Sequence, residues 1–161
     1  MSKLVFVIVA IAALASSASA QEESRGEVRA TAGIAEFPDD SWLHHNTAGG
    51  SASLRVSSRF LVGAEVLYMA GPKDDRDIAV VPLLQWEVGR FNRVQPYLIG
   101  GVGLLRNRQR VGTGLYWSNS ATYGAGAGVK VRLGANWFLS PEIRVGWEPL
   151  VQSSIGIGYR F

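Results

Sequence analysis

The chain has 161 residues, of which 47% are hydrophobic and 18% are charged, and it contains no cysteine. This length fits one domain, and the lack of cysteine excludes disulfide bonds, thiol chemistry and a lipid anchor attached to cysteine. Lysine and arginine number 16 against 13 aspartate and glutamate residues, and no basic run is interleaved with aromatic residues, so nucleic acid is not an expected partner.

The first twenty residues have the pattern of a secretory signal peptide. Lys3 precedes an apolar run over residues 4–15, and residues 16–20 are small, as cleavage after Ala20 requires. The apolar run is too short for a transmembrane helix, which needs about 20 residues, and no longer run follows it. We therefore predict a cleaved signal peptide at 1–20 and one domain at 21–161.

Beyond residue 25 the chain alternates between apolar and polar residues with a period of two, which is typical of β-strands. Glycine is abundant and no helical periodicity is visible. The alternation predicts eight strands, which in chain order cover residues 27–35, 47–57, 60–70, 78–88, 95–106, 121–133, 136–148 and 150–161.

Eight strands of about 10 residues match the length that a tilted strand needs to cross a bilayer. Eight is also the smallest common number for a closed barrel, and such a barrel fills its interior with side chains. The connections after strands one, three and five are polar and long, at residues 36–46, 71–77 and 107–120, whereas the others are short. The pattern therefore predicts an all-β, eight-stranded, antiparallel up-and-down transmembrane β-barrel with long external loops and both termini on the periplasmic side.

Alternation alone does not distinguish a membrane barrel from a soluble lipocalin-like barrel, because the two differ only in which face points outward. Three features favour the membrane barrel: a polar face rich in glycine and serine, mixed charges on that face, and aromatic residues near the strand ends. Such residues form girdles at the membrane interfaces. The predicted girdle comprises Tyr68, Trp86, Tyr97, Tyr123, Trp137 and Trp147, with Phe60, Tyr159 and Phe161 at further strand ends.

The charged residues of the polar face are expected to point into the lumen, where they must pair because isolated buried charges are costly. The predicted lumen charge network comprises Arg29, Arg55, Glu65, Glu87, Lys130, Arg132, Glu142 and Arg144, and Glu27, Glu148 and Arg160 share the same face. Such a network is expected to form a static polar plug; the alternative is a gate that opens a small pore when pairs exchange.

The last strand carries Ile155, Ile157, Tyr159 and Phe161 at every second position. This ending resembles the C-terminal assembly signal of bacterial outer-membrane barrels, which implies recognition by the barrel-assembly machinery. Together with residues 94–104, 126–133 and 139–145, it resembles the eight-stranded outer-membrane β-barrel family that includes the small OmpX- and OmpA-like proteins. The resemblance covers nearly the whole domain and implies a bacterial outer-membrane location, contact with lipid and lipopolysaccharide, and a monomer.

The sequence contains few candidates for catalytic or metal-binding residues. His44 and His45 are the only histidines, but adjacent residues point apart, and the His-x-Ser pair of outer-membrane lipid A deacylases is missing. We therefore predict no catalytic residues, no metal site and no cofactor.

Three functions remain open. The first, which we favour, is a structural or surface-interaction barrel; the others are a small pore for small or hydrophobic solutes and a lipid A-modifying enzyme. The basic segment at 106–110 fits lipid phosphates and fits an ordinary solvated loop equally well.

Overall fold

The structure, a computed structural model, describes residues 24–37, 43–72, 75–111, 114–147 and 150–161. The predicted signal peptide at 1–20 lies outside these residues. Eight strands account for nearly all of the described chain: β1 (Gly26–Phe37), β2 (Leu43–Arg55), β3 (Phe60–Ala70), β4 (Arg76–Glu87), β5 (Val94–Val111), β6 (Gly114–Arg132), β7 (Trp137–Gly146) and β8 (Leu150–Arg160). Among these residues, no helix has the length and apolar character needed to cross a membrane.

The strands form one closed barrel in which each strand pairs with its neighbours in sequence and β1 pairs with β8. Every pairing is antiparallel, and the closing ladder aligns Val28 with Tyr159 and Ala32 with Ile155. Backbone bonds between Gly26 and Phe161, 3.0 Å in each direction, extend the closure to the chain end. The predicted eight-stranded antiparallel up-and-down barrel is confirmed.

The apolar face of the barrel points outward and the charged face points inward. Leu104 is 70% exposed, for example, whereas Lys130 is completely buried. An outward apolar face is stable only where the surrounding solvent is lipid, since in water it would expose most of the hydrophobic side chains. The membrane alternative is therefore correct, and the soluble lipocalin-like barrel is excluded.

The two ends of the barrel differ, and at one of them the strands extend further into the predicted loops at 36–46, 71–77 and 107–120 than expected. We call the end that carries both termini the terminal end and the opposite end the hairpin end. At the hairpin end β1 and β2 extend into residues 36–46, and β4 begins at Arg76. Residues 107–111 and 114–120 belong to a ladder that pairs Asn107 with Ser118 and Val111 with Gly114. These segments are polar, but an antiparallel ladder is held by backbone hydrogen bonds and continues above the apolar band.

The lumen also has an apolar layer that the alternation did not predict. Near the hairpin end, Ala35, Leu67, Met69 and Ala79 are buried together inside the barrel. One internal cavity of about 50 Å³ lies below this layer and is lined by Met69, Glu65 and Arg144, among others. Most of the charged side chains of the lumen occupy its centre and its terminal end, whereas Asp75 and Asp77 are buried at the hairpin end.

A bulky ring closes the lumen near the terminal end. Phe138 is completely buried. A Cβ atom on Gly158 of the neighbouring strand would lie 2.2 Å from Cζ of this ring. The glycine therefore provides the space for the ring, because any side chain at position 158 would overlap it.

Candidate functional site

Most of the charged side chains of the lumen form two groups. We call Arg29, Glu65, Tyr97, Glu142 and Arg144 the central cluster, and we call Glu27, Arg55, Glu87, Lys130 and Arg160 the terminal cluster. Inward-facing positions of all eight strands contribute these side chains, which meet across the lumen.

Glu142 is the hub of the central cluster. Its Oε2 atom accepts hydrogen bonds from Arg29 Nη1 at 2.8 Å and from the Tyr97 hydroxyl at 2.6 Å. The Tyr97 hydroxyl in turn accepts a bond from Arg29 Nη1 at 2.8 Å. Arg144 donates from Nε to Glu142 Oε1 and forms a two-pronged pair with Glu65. Two guanidinium groups thus share two carboxylates in a connected network, with the Tyr97 hydroxyl as a fifth member.

Lys130 is the hub of the terminal cluster. Its ammonium lies 2.6 Å from Glu27 Oε2 and 3.0 Å from Glu87 Oε1. Arg55 pairs with Glu87 at 2.9 Å from the other side, and Arg160 lies 3.8 Å from both carboxylates. The same ammonium is 5.4 Å from the centre of the Phe138 ring, a distance at which a cation is attracted to an aromatic face.

The two clusters are electrostatically nearly balanced. Five cationic side chains, two in the central and three in the terminal cluster, face four carboxylates, two in each. Burial makes each unpaired charge expensive, and removing one partner of a buried pair costs about 3–5 kcal/mol. The arrangement therefore resists the loss or displacement of any one side chain.

Seven of the eight predicted network residues lie in these clusters, and Arg132 does not. Arg132 lies at the rim of the terminal end, where its Nη2 donates to the backbone carbonyl of Asn92 at 2.6 Å. At the rim a guanidinium reaches the carbonyl groups of the turn between β4 and β5, so it is drawn away from the lumen. Glu148, which we also expected on this face, lies outside the described residues.

Tyr97 was predicted to belong to the aromatic girdle, and this is wrong. Its side chain is buried in the lumen and bonded to Arg29 and Glu142. Strand β5 has apolar residues on both faces, including Leu98 and Ile99. Because the two faces do not differ in polarity, the sequence of this strand does not identify which face points inward. The pairing of Tyr97 with Glu87 on β4, whose face is clear, would have identified it.

The other predicted girdle residues lie on the outer surface in two rings. Near the terminal end Phe60 stacks on Trp86 at 6.3 Å, and Trp137 meets Tyr159 edge-on at 5.2 Å. Near the hairpin end the outward-facing aromatic residues are Tyr68, Tyr123 and Trp147, the last two with ring centres 5.3 Å apart. Ile155 and Ile157 of the predicted C-terminal signal are exposed on the same apolar surface.

A group of arginines faces outward just beyond the hairpin-end ring; we call Arg76, Arg106 and Arg108 the arginine patch. Arg106 pairs with Ile78, an exposed apolar residue, and Arg108 pairs with Arg76 one step further out. The guanidinium carbons of Arg106 and Arg108 lie 4.5 Å and 5.6 Å from the centre of the Trp117 ring. The patch therefore lies where an apolar surface gives way to polar surroundings.

The two histidines lie on β2 and not in a loop as predicted. The side chain of His44 is 65% exposed and pairs with Glu36 at 3.1 Å. The side chain of His45 is 2% exposed and points into the lumen. They do point apart, as adjacent residues of a strand must.

Comparison with known proteins places the chain in a family. The family model described as "outer membrane protein beta-barrel domain" matches residues 6–161. A search of curated protein sequences gives no significant match.

Solved structures give the same fold at low sequence identity. Neisserial surface protein A is 17% identical, with a TM-score of 0.76 over 88% of this chain and all of that one. The N-terminal barrel domain of Pseudomonas aeruginosa OprF is 12% identical, with a TM-score of 0.68 over 86% and 100%. Yersinia pestis Ail, in complex with the heparin analogue sucrose octasulfate, is 16% identical, with a TM-score of 0.56 over 85% and 99%. The chain therefore belongs to the outer membrane protein β-barrel domain family and is a protein of the bacterial outer membrane.

Proposed function

We propose that this protein is a structural and surface-interaction barrel whose lumen is plugged by the two charge clusters. The observation that carries the proposal is the connected set of ion pairs across the lumen, in which Lys130 and Glu142 each bond to several partners from different strands. The cavity beside Arg144 has a volume of about 50 Å³. A water molecule takes about 30 Å³ of liquid volume, so this space suits one or two waters and not a file of hydrated ions.

Single-channel recording tests the plug. The purified barrel in a planar bilayer is expected to give no steady conductance steps, because passage requires breaking buried ion pairs. Replacing Glu65 and Glu142 together with alanine removes both carboxylates of the central cluster and is expected to admit small steps. Steady steps from the unmodified protein would overturn the plug and favour the small pore.

We propose further that the arginine patch binds anionic groups at the membrane surface, in particular the phosphates of lipopolysaccharide. Arginine forms strong charge-assisted bonds to phosphate, and a basic side chain near a charged membrane surface contributes about 1 kcal/mol. Arg106 is exposed, so its guanidinium group is accessible to an anionic group outside the barrel. Ail, which shares the fold, was solved with a polysulfated ligand, so a polyanion is the ligand class that we propose here.

Lipopolysaccharide binding by a paired set of variants tests the patch. Replacing Arg106 and Arg108 with alanine is expected to weaken binding about thirtyfold, the equivalent of about 2 kcal/mol for two charges. The control replaces Arg59 and Arg93, two exposed arginines at the terminal end, and removes the same net charge. Equal losses in both variants, or equal binding of dephosphorylated lipid A, would show that the patch does not recognise phosphate.

We propose that the barrel has no lipid-modifying activity. The exposed His44 pairs with Glu36, but two positions further along the same strand face lies Asn46 and not the serine of the His-x-Ser pair. Lipid A from cells that express the protein, or its His44→Ala/His45→Ala variant, is expected to have the same mass spectrum as lipid A from cells without it. A mass change that depends on either histidine would establish an enzyme.

We propose that the barrel-assembly machinery recognises the C-terminal strand through Ile155, Ile157, Tyr159 and Phe161. The backbone of Phe161 closes the barrel against Gly26, so its ring can be removed while the ladder is kept. Phe161→Ala is expected to lower the amount of assembled protein in cells but not the yield of refolding in detergent. Equal losses in both settings would indicate a purely structural role.

We propose a monomeric barrel, since closure leaves no open sheet edge that needs a partner. Light scattering of the purified protein, corrected for bound detergent, is expected to give the mass of one chain. A mass of two or more chains would refute this.

A further inference from the structure

Three potential metal ligands converge inside the barrel at the hairpin end. His45 comes from β2, Asp75 lies immediately before β4, and Asp77 is the second residue of β4. All three are buried, and one ligand atom from each lies within 4.8 Å of the other two. His45 pairs with Ala35 and Asp77 pairs with Met69, so the group borders the apolar layer of the lumen and belongs to neither charge cluster.

The spacing of these atoms suits a shared ion. His45 Nε2 lies 3.1 Å from Asp75 Oδ2 and 3.7 Å from Asp77 Oδ2. Two ligand atoms about 2.1 Å from a common zinc ion at the tetrahedral angle lie about 3.4 Å apart. The observed distances lie on either side of this value, so a small shift of the side chains would admit the ion.

A neighbouring amide orients the two carboxylates. Asn107 on β5 donates from Nδ2 to Asp75 Oδ1 at 3.0 Å and to Asp77 Oδ1 at 2.6 Å. Both Oδ1 atoms are thereby engaged, and both Oδ2 atoms are directed toward the imidazole. Hydrogen bonds of this kind, which hold the ligands and not the metal, are typical of protein metal sites.

The imidazole itself is held in a space made for it. A Cβ atom on Gly71 would lie 2.3 Å from His45 Nε2, so the glycine permits the ring to reach the carboxylates. The ring of Phe37 contacts the imidazole edge-on, with centres 5.1 Å apart. The buried Nδ1 atom has no hydrogen-bond partner among the described residues. The ring therefore makes its polar contacts through Nε2, the nitrogen that faces the two carboxylates.

We propose that His45, Asp75 and Asp77 bind a divalent transition-metal ion of the zinc class. Imidazole together with carboxylate favours zinc and its neighbours, whereas calcium takes six to eight oxygen ligands and magnesium retains an octahedral shell of water and oxygen. The bound ion links β2 to the start of β4 and so fastens the hairpin end of the barrel. Arg76 of the arginine patch lies between the two aspartates in the chain, but its side chain faces outward and donates to the backbone carbonyls of Gly71 and Asp75. The proposed metal site therefore lies on the inner face of β4 and the arginine patch on its outer face.

Metal binding by the folded, untagged full-length barrel tests the site. After treatment with a chelator and dialysis against zinc, the protein is expected to retain one zinc ion per chain. His45→Ala is expected to weaken zinc binding at least tenfold, while His44→Ala, which removes the adjacent but exposed imidazole, leaves it unchanged. Equal zinc content in all three proteins, or a loss in His44→Ala as large as that in His45→Ala, would overturn the proposal.

Two further measurements keep the test decisive if His45→Ala fails to fold, as judged by its mobility on unboiled gels. Asp77→Asn preserves the shape of the side chain and is expected to lower zinc affinity at least tenfold. Cobalt bound to the unmodified protein is expected to show the visible absorption of a site with imidazole and carboxylate ligands, and zinc displaces it. Loss of zinc to millimolar magnesium or calcium, or zinc binding that persists in Asp77→Asn, would refute the site.

Discussion

Replacing Glu142 with alanine tests whether the central cluster stabilises the barrel. This carboxylate accepts bonds from Arg29, Tyr97 and Arg144. After truncation, Glu65 is the remaining carboxylate of the cluster, and it lies 3.9 Å from Arg29. Two guanidinium groups would then share one carboxylate, so we expect the free energy of unfolding to fall by about 3–5 kcal/mol.

Urea unfolding of the barrel in lipid vesicles, followed by tryptophan fluorescence and by gel mobility, gives this free energy. Glu142→Gln keeps the shape and one acceptor oxygen but not the charge, and we expect a smaller loss of about 1.5–3 kcal/mol. Glu36→Ala is the matched control, since it breaks a partly exposed pair with His44 and is expected to cost less than about 1 kcal/mol. A loss for Glu142→Ala no larger than that for Glu36→Ala would refute the reasoning.

Three further substitutions test the lumen in the same unfolding assay. Tyr97→Phe removes a buried hydroxyl that bonds two charged partners, so the free energy of unfolding is expected to fall by about 1–3 kcal/mol. The control Tyr123→Phe, on the outer surface, leaves stability unchanged. Equal effects would place Tyr97 outside the network. Gly158→Ala places a methyl group against the Phe138 ring, so the free energy of unfolding is expected to fall by about 1–3 kcal/mol. Adding Phe138→Leu to this variant is expected to recover part of the lost stability. If no stability is recovered, the loss comes from the backbone and not from the ring. Lys130→Met keeps the length of the side chain but removes the cation that pairs with Glu27 and Glu87, so the free energy of unfolding is expected to fall by about 3–5 kcal/mol. An unchanged free energy would show that water already solvates these two carboxylates.

The fold could be predicted from the sequence because alternation is strong where the membrane imposes it. Residues 123–132, for example, alternate apolar side chains with glycine or charge, and they lie in β6 as expected. The strand ends at the hairpin end could not be predicted, since polar residues in a ladder and polar residues in a loop have the same composition. Polarity marked the edge of the apolar band there and not the end of the strand.

The residues that form ion pairs could be predicted from the sequence, but which residue pairs with which could not. Placing Arg29 and Glu142 on the inward face needs only the period of two, whereas pairing them needs the curvature that brings β1 and β7 together across the lumen. The grouping of His45 with Asp75 and Asp77 was missed for the same reason. Its members come from different strands, and their proximity depends on register, which the sequence of one strand does not contain.

The charge clusters also constrain the order in which the barrel can assemble. Glu27 and Arg29 of the first strand have their partners Lys130 and Glu142 at 103 and 113 positions further along the chain. While the sheet is still open, these side chains face water. They become buried only when β1 pairs with β8 and the barrel closes. The first strand therefore cannot complete its side-chain pairs until β6 and β7 have joined the sheet.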